Sequence, residues 1–136
     1  KDYPRATQGY AFEFGPIPAA ERILERVPFK GFEYSIVTPF SKDSLDMTSE
    51  DVSTLETLLD STPHRLVVIT HGTDTMIATG RALDAVAMRN GQSVVLTGAA
   101  LPEKFADTDA HFNLGAAIGA VRHVEHGAHV CMGGVV

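Results

Sequence analysis

Two short apolar runs rich in β-branched residues constrain the fold more than any other feature of the chain. Residues 65–70 (RLVVIT) and 93–97 (SVVLT) have the composition and length of strands that are buried on both faces. Between them, residues 75–89 carry apolar side chains at helical spacing, and Asn90-Gly91 marks the end of that helix. Because strand, helix and strand in this order form a crossover unit, the sequence predicts a parallel sheet wound in the right-handed sense.

The rest of the chain continues the alternation of strands and helices. Helices are predicted over 18–27, from Thr48 onward and over 109–123, and further strands over 32–38 and 128–136. The predicted class is therefore α/β, a three-layer α/β/α arrangement of the Rossmann-like or flavodoxin-like type around a mainly parallel sheet. With 136 residues and no long linker, we expect one domain over 1–136, with 1–16 as a lid or loop and no second domain.

Composition excludes several classes of function. The formal charge is −6, from 11 basic and 17 acidic residues without a basic run, so nucleic acid is not an expected partner. The apolar runs are too short to span a bilayer, so we expect no membrane association. The single cysteine, Cys131, excludes an internal disulfide and suits a reducing compartment, which predicts a cytoplasmic location.

Polar side chains follow the predicted strands at the point where each strand ends, and parallel sheets bind their ligands at this edge. The richest of these segments is Thr70–Thr75, which places an imidazole, hydroxyls and a carboxylate at the start of a helix. Such a place suits an anionic group or a developing oxyanion. The alternative for Thr73, Asp74 and Thr75 is helix capping, and for His71 it is a turn histidine bonded to the backbone.

Two other strand ends carry candidate residues. Segment 38–47 contains Ser44 and Asp46, which equally suit turn and cap roles. Segment 97–109 begins with small residues around Ala99, which let a ligand approach the backbone, and the alternative there is a loop that ends in an aspartate N-cap.

Five segments of the chain resemble the bacterial L-asparaginase family, in the family's order and over nearly the whole chain. Residues 67–76 (VVITHGTDTM) are similar to the family's second signature, 94–102 (VVLTGAALP) to its next strand and turn, and 109–121 (DAHFNLGAAIGAV) to the segment that follows. Residues 43–48 (DSLDMT) resemble the segment that holds the α-groups of the substrate, and 9–15 (GYAFEFG) the stretch after the flexible lid.

The resemblance implies hydrolysis of the side-chain amide of asparagine or a related amide, with release of ammonia and without a cofactor or metal. The reaction would pass through acyl transfer to a threonine hydroxyl and then to water. The catalytic residues implied are Thr73, Asp74, which would also bind the substrate's α-ammonium, and the lid residue Tyr10. The substrate contacts implied are Ser44 for the α-carboxylate, Asp46, and the backbone at Gly72 and Ala99. Family members are oligomers, so a homo-oligomer (dimer or tetramer) is expected.

The sequence also departs from the family pattern. The family's first strand and its Thr-Gly-Gly-Thr-Ile motif, which bears the primary nucleophile, are not found in 1–136, and Thr7 does not match that motif. No residue matches the family's catalytic lysine. Leu45 stands where the family has a substrate-binding glutamine, and Leu101 stands where an arginine is usual.

Two other functions stay open beside an amidohydrolase. One is a catalytically incompetent asparaginase-like module that binds a small amino acid or amide, or acts through assembly. The other is the amide-hydrolysing part of an amidotransferase that delivers ammonia to a partner.

The histidines His123, His126 and His129 have a spacing that also suits zinc. Gly127 interrupts the helix between the second and third histidines, which favours a solvated helix end over a metal site.

Leu45 generates a prediction about substrate preference. A leucine cannot replace the hydrogen bonds of a glutamine near the charged end of the substrate, which weakens binding of the free amino acid. An active chain is therefore expected to show a high KM for asparagine or to prefer another amide. Ammonia release measured over a panel of amides checks this, and a low-micromolar KM for asparagine would contradict it.

Overall fold

The computed structural model describes residues 15–28 and 30–136. Its helices are α1 (Ala19–Glu25), α2 (Ser49–Ser61), α3 (Met76–Asn90) and α4 (Ala110–Ala120), its strands are β1 (Leu66–Thr70), β2 (Ser93–Thr97) and β3 (Gly127–Val130), and a 3₁₀ turn spans Ser44–Asp46. Within the described residues, no helix is long and apolar enough to cross a membrane.

The three strands form one parallel sheet in the order β1-β2-β3, which confirms the predicted parallel arrangement. In this register Val68 lies beside Val95, which lies beside His129. The central strand β2 is buried along its whole length, as predicted. The prediction of burial on both faces is wrong for β1, which lies at the edge of the described sheet and is partly exposed. β2 occupies the predicted range 93–97, and β1 begins one residue later than predicted.

Helices cover both faces of the sheet, which makes the three-layer α/β/α architecture that the sequence predicts. On the face of α2 and α3, the buried apolar residues are Leu55, Leu59, Met76, Leu83, Val86, Ala87, Val94 and Leu96. On the face of α1 and α4, they are Ile23, Leu24, Val95, Ala110, Leu114, Ala117, Val121 and Cys131. Successive β2 side chains point to opposite layers because side chains alternate along a strand.

The winding of the sheet differs from the prediction. Both crossovers, β1–α3–β2 and β2–α4–β3, step across the sheet in the same direction, yet α3 and α4 lie on opposite faces. Two crossovers of the same hand would place both helices on one face, so one of the two is left-handed. The expectation of uniform right-handed winding is therefore wrong. The long connection 98–109 gives the chain the length to reach the second face before α4.

The predicted strand over 32–38 does not form. The segment has the aromatic and β-branched composition of a strand, but its backbone makes no hydrogen bond within the described residues. The side chains of Tyr34 and Val37 are exposed, while Phe32 and Phe40 pack against the two core layers. Because no strand of the described residues pairs with it, the segment stays irregular there despite its strand composition.

The predicted strand over 128–136 is cut short at its carboxyl end. After β3 the backbone takes positive φ angles of 61° at Gly133 and 81° at Gly134. Met132 and Val135 then face each other in an isolated antiparallel bridge. The two glycines turn the chain because they accept the left-handed conformation that other residues avoid.

Local signals in the sequence fix the ends of two helices. Thr48 and Asp51 form a capping box at the start of α2, and the Asp51 carboxylate also accepts from Lys42 at 2.8 Å. Side-chain hydrogen bonds from Lys42 and the backbone N–H of Thr48 lower the pKa of Asp51. Gly91, with φ at 63°, ends α3 as the sequence predicts.

A buried ion pair joins the loop after β2 to α1. The Glu103 side chain is only 2% exposed and lies 2.7 Å from Arg22 and 3.2 Å from Arg26. Lys30 donates to the carbonyl oxygens of Leu24 and Val27 near the end of the same helix. Glu103 therefore anchors the short helix α1 to the sheet through the loop 98–109.

The Glu103→Gln variant tests this anchor. Removing the charge leaves two arginines without their carboxylate, so the free energy of unfolding should fall by about 1–3 kcal/mol. Urea denaturation followed by circular dichroism measures the change. The matched control, Glu125→Gln, removes an exposed carboxylate and should leave the midpoint unchanged. Equal stability of the two variants would show that the Glu103 pair does not hold α1.

Candidate active site

The turn after β1 lies against the ends of neighbouring elements. The N–H of His71 donates to the Thr97 carbonyl at 2.8 Å, and the Thr75 hydroxyl donates to the Ser44 carbonyl at 2.9 Å. A Cβ at Gly98 would collide with the His71 carbonyl oxygen, so the missing side chain permits this approach. These contacts bring together three of the predicted strand-end segments, namely 44–46, 71–75 and 97–99.

The turn leaves two of its polar side chains available to a ligand. Thr73 and Asp74 are exposed, and no described residue makes a hydrogen bond with either side chain. Thr75 occupies the N-cap position of α3 but makes no capping bond, because its hydroxyl is directed at Ser44. The alternative that these residues cap α3 is therefore not realised. The first N–H groups of the helix lack a side-chain acceptor at this end.

Ser44 is buried beside the turn rather than open to solvent. Its residue is 2% exposed, and its hydroxyl is the one buried side-chain polar atom without a hydrogen bond among the described residues. A Cβ at Gly72 would lie 2.5 Å from this hydroxyl, so glycine at that position makes room for the serine. Ser44 and Gly72, which the resemblance implies as substrate contacts, thus pack directly against each other where segments 44–46 and 71–75 meet.

The other substrate-binding residues implied by the resemblance lie nearby at different depths. Asp46 is exposed on the same 3₁₀ turn as Ser44, and Leu45 between them is 70% exposed. Ala99 is half-buried directly after Gly98. The lid residue Tyr10 lies outside the described residues.

His71 is held at both ring nitrogens. Its Nδ1 lies 2.7 Å from the Gly72 carbonyl oxygen, and its Nε2 lies 3.0 Å from the Thr79 hydroxyl. The imidazole is half-buried, and Thr79 is buried in α3. This arrangement agrees with a turn histidine bonded to the backbone.

A network of polar groups shapes the loop after β2. The Asp109 carboxylate accepts from the backbone N–H groups of Ala100 and Leu101, each at 3.0 Å, and from the Asn113 amide at 2.8 Å. Asn113 also donates to the Gly98 carbonyl at 2.9 Å. Partial burial by itself raises the pKa of Asp109, but these hydrogen bonds outweigh it and hold the pKa below its usual range. The network fixes the backbone on both sides of Ala99.

Asn113 and Thr79 received no role from the sequence, although both support the site. Asn113 is 1% exposed and accepts from the N–H of Gly133 with its side-chain oxygen, which ties α4 to the turn after β3. In the sequence, each of the two could be recognised as a polar residue at a helix position whose neighbours in the helical pattern are apolar and face the core. For Asn113, the additional signal was an aspartate four residues earlier.

The histidines near the end of α4 are not gathered into a metal site. His129 lies 3.0 Å from the Glu125 carbonyl oxygen. In the described part of the chain, no three His, Cys, Asp or Glu side chains are placed to hold a metal ion. Burial raises the pKa of the Cys131 thiol, which suits a core residue rather than a nucleophile.

A cavity of about 440 Å³ lies at the opposite end of the sheet, where the strands begin. Its lining includes Arg65, Gly91, Ser93, Arg122 and His126, and none of the predicted site residues. This cavity therefore lies away from the strand ends that carry the predicted site residues.

The fold and the site define an α/β domain whose polar residues gather at the carboxyl ends of a parallel sheet. The family model "Asparaginase, N-terminal" matches residues 6–136, so the chain belongs to the asparaginase family.

Among solved structures, the thermostable L-asparaginase from Thermococcus kodakarensis is similar in fold, with a TM-score of 0.69 and 26% sequence identity. The match covers 82% of this chain and 34% of that chain, so the chain spans about a third of the length of that enzyme. A comparison with curated proteins finds no match.

The lowered pKa of Asp109 predicts a pH-dependent contribution to stability. A carboxyl whose folded pKa is depressed stabilises the fold above the unfolded value of about 3.9, and the contribution is lost as the pH falls through the folded value. Asp109→Asn should therefore lower the free energy of unfolding by about 1 kcal/mol at neutral pH, a modest figure because solvent screens the loop.

The difference between wild type and Asp109→Asn should shrink towards pH 3, as measured by urea denaturation at both pH values. Asp107→Asn, an exposed neighbour, is the matched control and should behave as wild type. A difference that stays constant with pH would show that the charge of Asp109 is not responsible.

Proposed function

We propose that the chain hydrolyses a side-chain carboxamide, of asparagine or a related amide, and releases ammonia. The observation that carries the proposal is the turn after β1, which exposes Thr73 and Asp74 at the uncapped start of α3. Membership of the asparaginase family supports this reaction class. The similar enzyme is about three times as long as the matched region, which covers 34% of it. That the present chain catalyses the reaction by itself is therefore also part of the proposal.

In the proposed reaction the Thr73 hydroxyl oxygen forms a bond to the amide carbon of the substrate. The bond between that carbon and the amide nitrogen breaks, and the nitrogen takes up the proton that the Thr73 hydroxyl gives up and leaves as ammonia. Water then cleaves the ester, which returns the threonine hydroxyl and yields the carboxylic acid. Free N–H groups at the start of α3 are suited to the negative charge that develops on the carbonyl oxygen.

The polar groups around Thr73 suit the two charged α-groups of an amino-acid substrate. The Asp74 carboxylate is exposed and lacks a partner within the described residues, so it is available to an α-ammonium. The buried hydroxyl of Ser44 has an unused hydrogen bond, which we assign to the α-carboxylate. Asp46 adds a second exposed acid on the same 3₁₀ turn, and the Ala99 backbone is the contact for the amide.

One observation favours a second candidate, an asparaginase-like module that binds a small amide or acts through assembly without catalysis. A threonine hydroxyl needs an adjacent base to become a good nucleophile. Across 15–28 and 30–136, no side chain hydrogen-bonds to the Thr73 hydroxyl. Tyr10, the third residue proposed for catalysis, lies outside those ranges.

We further propose that the chain associates with itself as a homodimer or tetramer. Its proposed location is the cytoplasm. Two features of the described residues support association. The outer edge of β1 has no strand beside it, and the exposed side chains of Tyr34, Ile36 and Val37 add apolar surface.

Ammonia release from a panel of amides tests the proposed reaction. Thr73→Ala should lower the rate by at least about 100-fold, because the variant lacks the attacking oxygen. Thr57→Ala is the matched control, since it removes an exposed threonine hydroxyl on α2, and it should retain the wild-type rate.

Equal rates in wild type and Thr73→Ala would reject catalysis through Thr73. A wild type that releases no ammonia, but whose backbone amide signals at 71–75 shift when asparagine is added, would establish the binding module instead.

A further inference from the structure

The two hydrogen bonds of the His71 ring define the tautomer of its neutral form. A carbonyl oxygen only accepts, so the proton of the neutral ring lies on Nδ1, which donates to Gly72 at 2.7 Å. The Nε2 atom then carries the lone pair and accepts from the Thr79 hydroxyl at 3.0 Å. A ring engaged at both nitrogens has no free atom with which to take a proton from a ligand.

The bond to Gly72 acts on the peptide unit that leads into Thr73. In a trans peptide, the carbonyl and the following N–H lie in one plane and point in opposite directions. Holding the Gly72 carbonyl against the His71 ring therefore directs the N–H of Thr73 away from that ring. No described residue accepts a hydrogen bond from this N–H, and Thr73 is exposed.

The bond to Thr79 fixes the ring itself. Thr79 lies in the second turn of α3 and is 4% exposed, so its hydroxyl is a rigid anchor inside the fold. The hydrogen bond between the Thr79 hydroxyl and the His71 ring thus ties the turn 71–75 to α3, a few residues beyond the uncapped start of the helix. The orientation of the Gly72–Thr73 peptide is therefore fixed by hydrogen bonds that lead through the His71 ring to the buried Thr79, and not by solvent.

We propose that His71 is a positioning residue, which holds the Gly72–Thr73 peptide so that the Thr73 N–H and hydroxyl are both presented to the ligand. Its effect on catalysis rests on the proposed function, whereas the tautomer and the peptide orientation do not. The residue acts through its neighbours and touches no reacting atom.

Two amide variants separate the two hydrogen bonds. His71→Asn places a donor near the former Nδ1, so it keeps the bond to Gly72 and loses the bond to Thr79. His71→Gln places its amide near the former Nε2, so it keeps the bond to Thr79 and loses the bond to Gly72. We expect kcat for ammonia release to fall about 10- to 100-fold in His71→Gln, with a smaller change in KM, because the donor at Thr73 is misplaced. His71→Asn should stay within about threefold of wild type, since its shorter amide still donates to the Gly72 carbonyl, the bond that orients the Thr73 peptide directly, although the support from Thr79 is lost.

Thermal unfolding separates positioning from simple stabilisation. Each variant loses one partly buried hydrogen bond, so both should lose similar stability, and a purely structural role would lower kcat equally in the two. That equal loss would overturn the proposal. His126→Gln, which changes an exposed histidine at the far end of the sheet, is the matched control and should keep kcat and KM.

Nuclear magnetic resonance tests the proposal without any activity. Long-range ¹H–¹⁵N spectra near neutral pH should show His71 as the Nδ1–H tautomer, and the Thr73 amide signal should move more in His71→Gln than in His71→Asn. If the spectra give these results but the chain releases no ammonia, the proposed function is rejected and the positioning role of His71 is retained. An Nε2–H tautomer, or equal movement of the Thr73 signal in both variants, would reject the positioning role itself.

Discussion

The close approach of three chain segments at the ends of the strands depends on two missing side chains. At Gly98 a Cβ would meet the His71 carbonyl oxygen, and at Gly72 it would meet the Ser44 hydroxyl. Both glycines have ordinary φ angles, so their role is to save space rather than to supply a special backbone conformation. The hydrogen bonds from His71 to Thr97 and from Thr75 to Ser44 span these two close approaches, and the packing there leaves little room to adjust.

The parts of the fold that could be predicted are those with strong local signals. The apolar runs of β1 and β2 combine β-branched composition with turn signals, and Gly91 and the Thr48 capping box fix helix ends by local hydrogen bonding. The errors arose where local composition depends on a distant partner. Segment 32–38 has strand composition but no strand to pair with in the described residues, and the winding depends on which face α4 covers.

The candidate site divides in the same way. The turn residues Thr73 and Asp74 can be singled out from hydroxyl and carboxylate groups that follow a strand, while their catalytic roles come from the resemblance and stay a prediction. The supporting residues Thr79 and Asn113 were not assigned, since a polar residue on a core-facing helix position acquires meaning only from what it touches. The resemblance located Ser44, but only the structure shows that its hydroxyl is buried without a partner.

The opposite hands of the two crossovers have a consequence for where a ligand fits. When the connections after neighbouring strands leave towards opposite faces of a sheet, they separate at the strand ends, as they also do at the ligand-binding switch point of doubly wound α/β proteins. Here the turn 71–75 leads to the layer of α3, and the loop 98–109 leads to the layer of α4. Uniform winding would have laid both connections over one face. The change of hand between the two crossovers thus places Thr73 and Ala99 on connections that leave the sheet towards opposite layers.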